Sequence, residues 1–214
     1  MRILGIDHGT RYAGWAVMDV KGGEYEWLGY GLITLIAEVT LDDTLAALHT
    51  SVHSLIAQYE PTIVALEEPM AMRSGKVARK LIQMYTAARL AAALKHIPIL
   101  DITPQTLKLY TAGHGGAEKD DVARALCEHY GLDYDDIAVP MYYKTSKRKG
   151  DIKERLYDVS DACGLCVAAV RVLHYKLTQD EGGGSHVDAG VGAEAAEVLR
   201  DAGAKSRNRR AAQA

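Results

Sequence analysis

The period of the hydrophobic positions changes several times along the chain. Residues 2–7, Arg-Ile-Leu-Gly-Ile-Asp, are a short apolar run ended by an acid, which predicts a buried strand. Residues 13–19 and 25–35 read as two more strands, with the turn signal Lys21-Gly22-Gly23 between them. Short connections of this kind predict an antiparallel meander. The period then lengthens. Leu45, Leu48, Val52, Leu55 and Tyr59 share one face of a helix over 41–59, with Thr40 as its N-cap. A strand over 62–67 follows. Val77, Leu81, Met84, Ala88 and Ala91 then mark a helix over 74–95, and 97–102 reads as a fifth strand. The remainder reads as a helix near 117–130, a polar loop to about 153 and a last helix over 155–177.

The order βββαβαβαα predicts an α/β protein. Its sheet is mixed and five-stranded, three antiparallel strands then parallel ones, with helices on both faces. This is the order of the RNase H-like fold. A body of residues 1–178 is expected, with 131–154 as an inserted basic loop. The segment 179–214 is rich in Gly, Ala and charge, and is expected to be a disordered tail apart from a short helix near 192–202. With 214 residues, 48% of them hydrophobic, the chain can bury a core without disulfides or metals. Three cysteines are too few for a disulfide scaffold and suit a reducing compartment. Cys163 and Cys166, within an apolar helical run, read as small buried residues. No apolar run reaches membrane-spanning length, and the first residues do not form a signal peptide, so a cytoplasmic location without membrane contact is expected.

Four acids stand where chemistry can use them. Asp7 closes the first strand before His8-Gly9-Thr10, and Glu67 closes the fourth, followed by Glu68. Adjacent residues of a strand face opposite ways, so only one of the two glutamates is expected at a given site. Asp158 and Asp161 are spaced i, i+3 and share a face of the last helix. Each has an ordinary alternative: a turn-capping Asp, a solvated strand end, helix N-terminal acids favoured by the dipole. Taken as a set, they are all-oxygen ligands without a His–Cys cluster, which selects Mg²⁺ or Mn²⁺ over Zn²⁺. Carboxylates around two hard cations suit phosphodiester hydrolysis.

Four segments carry a resemblance. Ile3-Leu4-Gly5-Ile6-Asp7-His8-Gly9-Thr10 with Gly14-Trp15-Ala16-Val17, then Val64-Ala65-Leu66-Glu67-Glu68, then Gly116-Ala117-Glu118-Lys119-Asp120-Asp121-Val122, and finally Asp158-Val159-Ser160-Asp161-Ala162 occur in the order seen in RuvC-like Holliday junction resolvases. The resemblance implies a Mg²⁺-dependent homodimer that resolves four-way DNA junctions by paired nicks, with branch-migration machinery as a possible partner. It implies metal-holding and catalytic roles for Asp7, Glu67, Asp158 and Asp161. Asp7 would bridge two metals, and Lys108 and Lys119 would lie near the site. Four features depart from the family, one being the sequence of the helix over 74–95. His8 replaces the usual Pro and reads as a surface turn residue. Met70 stands where an aromatic is common, and the stretch 131–154 is longer than expected.

The charge is segregated, although it sums to only −3. Arg73, Lys76, Arg79, Lys80, Arg89 and Lys95 lie in a segment without acids. Lys144, Lys147, Arg148, Lys149, Lys153 and Arg155 outnumber Asp151 and Glu154 in a second. Such cations would hold DNA phosphates, or simply form solvated faces. Met70 joins Arg73, Lys76, Arg79, Lys80, Lys144, Lys147, Arg148 and Lys149 as candidate DNA contacts. Tyr142 and Tyr143 can stack on unpaired bases or pack in the core. Rival readings are an RNase H-like nuclease of the YqgF kind acting on RNA, flaps or other branched DNA, a junction-binding protein that does not cut, and a kinase- or actin-like ATPase suggested by Gly5-Ile6-Asp7-His8-Gly9-Thr10. The last lacks a second phosphate motif.

Overall fold

A computed structural model describes residues 1–35, 40–69, 75–145 and 147–180, with side chains as far as Tyr175. Met70, Arg73, the segment 181–214 and the expected helix near 192–202 lie outside the described residues. Five strands form the main sheet: β1 (Arg2–Asp7), β2 (Tyr12–Lys21), β3 (Glu24–Thr34), β4 (Ile63–Glu67) and β5 (Ile99–Ile102). Their order across the sheet is β3-β2-β1-β4-β5. The first three pair antiparallel, and β4 and β5 join them in parallel. The expected mixed sheet is therefore present, with β1 and β4 at its centre.

Alternation along these strands sorts the core into two layers. Leu4, Ile6, Val64 and Leu66 pack under α1 (Leu41–Tyr59) and α2 (Gly75–Ala93), against Leu48, Val52, Met84 and Ala88. Ile3, Ile63 and Ala65 point the other way. They meet α3 (Pro104–Ala112), α4 (Lys119–Tyr130) and the long α6 (Asp158–Asp180). Thr40 caps α1 as expected: its hydroxyl accepts from the Asp43 amide at 3.2 Å, and the Asp43 carboxylate accepts from the Thr40 amide. From Val159 to Val170 every residue of α6 is buried, so its packing rather than an amphipathic stripe holds it on the sheet.

The sheet accepts α6 closely because glycines face it. A Cβ on Gly5 would collide with the Ala162 carbonyl oxygen, and one on Gly14 with that of Asp158. Cys166 fits the same tight seam, its Sγ 3.5 Å from the Ala16 carbonyl and burial pushing its thiol up to about 12. Cys163 and Cys166 are thus the small buried residues expected.

Three elements differ from expectation. Helix α3 was not anticipated; with only Leu107 and Thr111 buried it is too short to show a period, and its signal is the Thr103 cap before Pro104. The stretch 131–154 is not a loop. It folds into the short α5 (Tyr134–Ile137) and an antiparallel hairpin of β6 (Val139–Tyr142) and β7 (Ile152–Leu156), apart from the main sheet. Because β7 runs to Leu156, α6 starts at Asp158 rather than 155. Both Asp158 and Asp161 therefore lie in its first turn.

Candidate active site

Strand parity places the first two acids. Ile3 and Gly5 face α6, so Asp7 does too; Ile63 and Ala65 face α6, so Glu67 follows. The parallel register ends at Ile6 opposite Leu66, which leaves Asp7 and Glu67 side by side one residue further on. Gly14 pairs with Asp7 from the other side and admits the start of α6, bringing Asp158 and Asp161 over the same strand ends. The result is an open cleft of about 290 Å³. Asp7, His8, Gly9, Glu67, Glu68, Lys119 and Asp158 line it, with Ala78 and Leu81 of α2 on the far wall. Glu68 was not expected to face the site with Glu67. The cleft opens past the strand ends toward α2, so both parities reach it, as Asp7 and His8 also do.

The electrostatics follow from crowding. Burial holds the Asp7 carboxyl well above its ordinary range, and the charges of Asp161, Glu67 and Asp158 push it the same way, against Lys119. Burial and Asp161 raise Glu67 to about 7, while Lys119 and Lys108 pull it down. Burial also raises Asp158, opposed by a hydrogen bond from its own amide and by Lys119. No hydrogen bond from a described residue reaches the Asp7 or Glu67 carboxylate. Lys119 is the local counter-charge: its Nζ lies 2.6 Å from Asp161 Oδ2. Burial disfavours the ammonium, but the Asp161 charge and hydrogen bond, with Asp7 and Asp158 behind them, outweigh this and raise it.

Among the described residues, no group of three or more His, Cys, Asp and Glu side chains is arranged to hold a metal ion as they stand. The positive charge in the cluster is instead the Lys119 ammonium. The donor chemistry fits a hard divalent cation all the same. Asp7, Glu67 and Asp158 line the cleft and Asp161 lies close enough to act on all three by charge; Asp7 and Glu67 accept no hydrogen bond from a described residue, and the mutual repulsion of the acids is what a cation relieves. Lys119 is itself 59% exposed, so withdrawing it from Asp161 requires only a side-chain rotation.

His8 is not the surface residue expected. It is only 6% exposed, because parity turns it toward α2, where it packs against Tyr85 at 5.4 Å between ring centroids. Burial lowers it to about 4, so the imidazole is neutral, and its buried Nδ1 has no hydrogen-bond partner among the described residues. Tyr85 in turn donates to Asp101 at 2.6 Å, and Arg89 binds the same carboxylate at 2.8 Å. This wall of the cleft was not foreseen; its signal was the position of His8 one residue past Asp7.

The candidate DNA contacts divide. Lys76 and Arg79 are exposed and Lys80 is half-buried on the first turns of α2, beside the cleft-lining Ala78 and Leu81. Lys144, Lys147, Arg148 and Lys149 are exposed on the β6–β7 hairpin, away from the cleft lining. Arg89 and Arg155 are instead tied into the fold, Arg155 through Asp135 and the Ala138 carbonyl. Lys108, on α3, is half-buried and close enough to act on Glu67.

A β3-β2-β1-β4-β5 sheet with acids at its two central strand ends and on the helix laid across them defines an RNase H-like α/β protein with an acidic cleft. The family model for Crossover junction endodeoxyribonuclease RuvC matches residues 3–133, and the chain belongs to that family. Proteins of that name from Idiomarina loihiensis and Granulibacter bethesdensis are 36% and 34% identical to it. They align over 56% and 57% of this chain and 70% and 68% of their own lengths, respectively. Among solved structures, T. thermophilus RuvC in complex with Holliday junction substrate has a TM-score of 0.63 at 24% identity, covering 78% of this chain and 92% of that one. A yeast mitochondrial Holliday junction resolvase has a TM-score of 0.55 at 13% identity, over 85% and 84%. These two likenesses are of fold. The family match ends before α6, so the inclusion of Asp158 and Asp161 rests on the geometry above.

Proposed function

We propose that the protein is a metal-dependent DNA endonuclease that resolves four-way junctions, with Asp7, Glu67, Asp158 and Asp161 as its metal-holding residues. The observation that carries this is the crowding of these four acids and Lys119 at the ends of β1 and β4, three of the acids lining the cleft, in a chain of the RuvC family. Bound there, one or two Mg²⁺ or Mn²⁺ ions would supply an activated water and neutralise charge on the phosphate and leaving oxygen. The remaining work belongs to the chain. The packing of α6 on the sheet fixes the spacing of the carboxylates. Lys119 and Lys108 bring positive charge to the edge of the acidic cluster, where they favour the ionised acids and stabilise a phosphate. Lys76, Arg79 and Lys80 beside the far wall hold backbone phosphates and set the register of the strand in the cleft.

Paired symmetric nicks need two such clefts, and among the described residues there is one. A homodimer supplies the second. Ile82 and Leu90 on α2, with Leu94 just past its end, expose an apolar stripe suited to isologous pairing. The neighbouring groove between α1 and α2, lined by Leu45, Ala46, Thr86, Ala87 and Leu90, extends it.

The test is nick mapping on synthetic four-way, flap and plain duplex DNA with Mg²⁺. Symmetric paired nicks confined to the four-way substrate are expected, and Asp7→Asn should abolish them while leaving junction binding intact. Undiminished cutting by that variant would remove Asp7 from the site, and a preference for flaps would redirect the substrate assignment.

A further inference from the structure

The β6–β7 hairpin is the part of the described body that the main fold does not use. It stands outside the five-stranded sheet and beyond the residues that match the family model. Its last cross-strand pair is Tyr142 opposite Ile152, and both are exposed, Tyr142 by 52%. The turn beyond them carries Lys144, Lys147, Arg148 and Lys149. Arg148 is held in the hairpin, stacked over Tyr143 and paired with Asp151 at 3.3 Å. Lys144, Lys147 and Lys149 are exposed and make no ion pair or hydrogen bond with a described residue. The tip of the hairpin thus offers an exposed aromatic–aliphatic pair close in sequence to three cations that have no partner among the described residues. An exposed apolar pair alone would fit many partners; beside unpaired lysines it fits a polyanion with flat apolar faces.

The hairpin is also rooted at the cleft. Only Tyr157 separates β7 from Asp158. Tyr157 and Tyr134 both donate to Asp120, the neighbour of Lys119, and Arg155 of β7 stacks on Tyr134. Its base is therefore fixed relative to the acids. From Lys147, at the tip of the turn, to Asp158 an extended chain spans at most about 36 Å. Along a duplex that is about eleven base pairs.

We propose that this hairpin is a DNA-gripping arm. Lys144, Lys147 and Lys149 contact phosphates within about eleven base pairs of the cut, and Tyr142, backed by Ile152, stacks on a base exposed at the branch. The proposal rests on the junction-cutting reading and adds to it the element that recognises the branch.

The experiment compares the wild-type protein, the triple variant K144A/K147A/K149A and Tyr142→Ser on a four-way junction carrying 2-aminopurine at the branch. Circular dichroism verifies that both variants are folded. The triple variant should flatten the slope of log affinity against log salt by about three. Tyr142→Ser should weaken binding about ten-fold and lose the 2-aminopurine quenching, with the salt slope unchanged. On the wild-type protein, neutral methylphosphonates within about eleven base pairs of the nick should weaken binding, a readout independent of any variant. If the wild type cuts junctions but the triple variant keeps its slope, or only distant methylphosphonates matter, the arm is refuted and the hairpin serves another partner such as a protein. If the wild type neither binds nor cuts junctions, the functional reading itself falls.

Discussion

Gly14 lies opposite Asp7 in the β1–β2 ladder, and a methyl group there would drive into the Asp158 carbonyl. Gly14→Ala should therefore cost about 1–3 kcal/mol and displace α6 from the acids. The expected outcome is a lowered Tm and weakened divalent-cation binding by calorimetry, whereas Gly22→Ala, in the open turn after β2, should spare the metal affinity. Lys119 poses a different test. Lys119→Met leaves the Asp161 carboxylate, 9% exposed, without its counter-charge. With the Lys119 side chain more than half exposed, water screens part of the pairing, and the loss should be about 1 kcal/mol. Added Mg²⁺ should then raise the Tm of the variant more than that of the wild type, because the ion supplies the missing charge. At this scale the positions of Asp7 and Glu67 were legible, since they end apolar runs and parity decides their face, while Asp158 and Asp161 were legible from their i, i+3 spacing. His8 was misread because a residue after a strand looks like turn surface, although alternation carries on one position further and buries it against Tyr85.

Elements were legible in proportion to their periodicity. Helix α1 was readable end to end, from its capping box to Tyr59. Thr40→Ala should lower stability by about 1 kcal/mol, measured by urea unfolding, since it removes an N-cap whose partner is the Asp43 amide. Helix α3 and the β6–β7 hairpin were not readable. Nine residues with two buried positions give no period, and a four-residue strand containing Pro140 and bordered by charge resembles a loop. The stripe on α2 was hidden for another reason: Ile82, Leu90 and Leu94 are apolar, yet the monomer leaves them outside its core. Leu90→Glu should shift the protein from dimer to monomer in sedimentation velocity and convert paired nicks to single ones. Unchanged mass would place the dimer surface elsewhere.

For the molecule as a whole, the acidic cluster sets a pH dependence. Glu67 titrates near 7 when folded against 4.5 as a free side chain, and Asp7 and Asp158 are raised from 3.8. Between those limits the folded protein binds more protons than the unfolded one, so its stability falls as pH rises. His8 acts oppositely between about 4 and 6.5, since its folded value is the lower one. Three acids against one imidazole leave a net loss. In EDTA the Tm should fall from pH 5 to pH 8, and Mg²⁺ should restore it at pH 8 and have little effect at pH 5. The fold class was legible from the element order, because three short-looped strands followed by alternating helices and strands admit few sheets. The compactness of the site was not, because it depends on backbone contact between α6 and the glycines of the sheet.

That contact has a consequence for how the chain acquires its chemistry. Asp7 and Glu67 leave the ribosome early, within the first third of the chain, but their partners Asp158 and Asp161 come from the last helix of the described body. Such a long closure is slow to form and late to be rewarded. A nascent or prematurely ended chain thus holds half a site and no complete set of acids. The order of synthesis itself keeps the cutting activity silent until the body has closed.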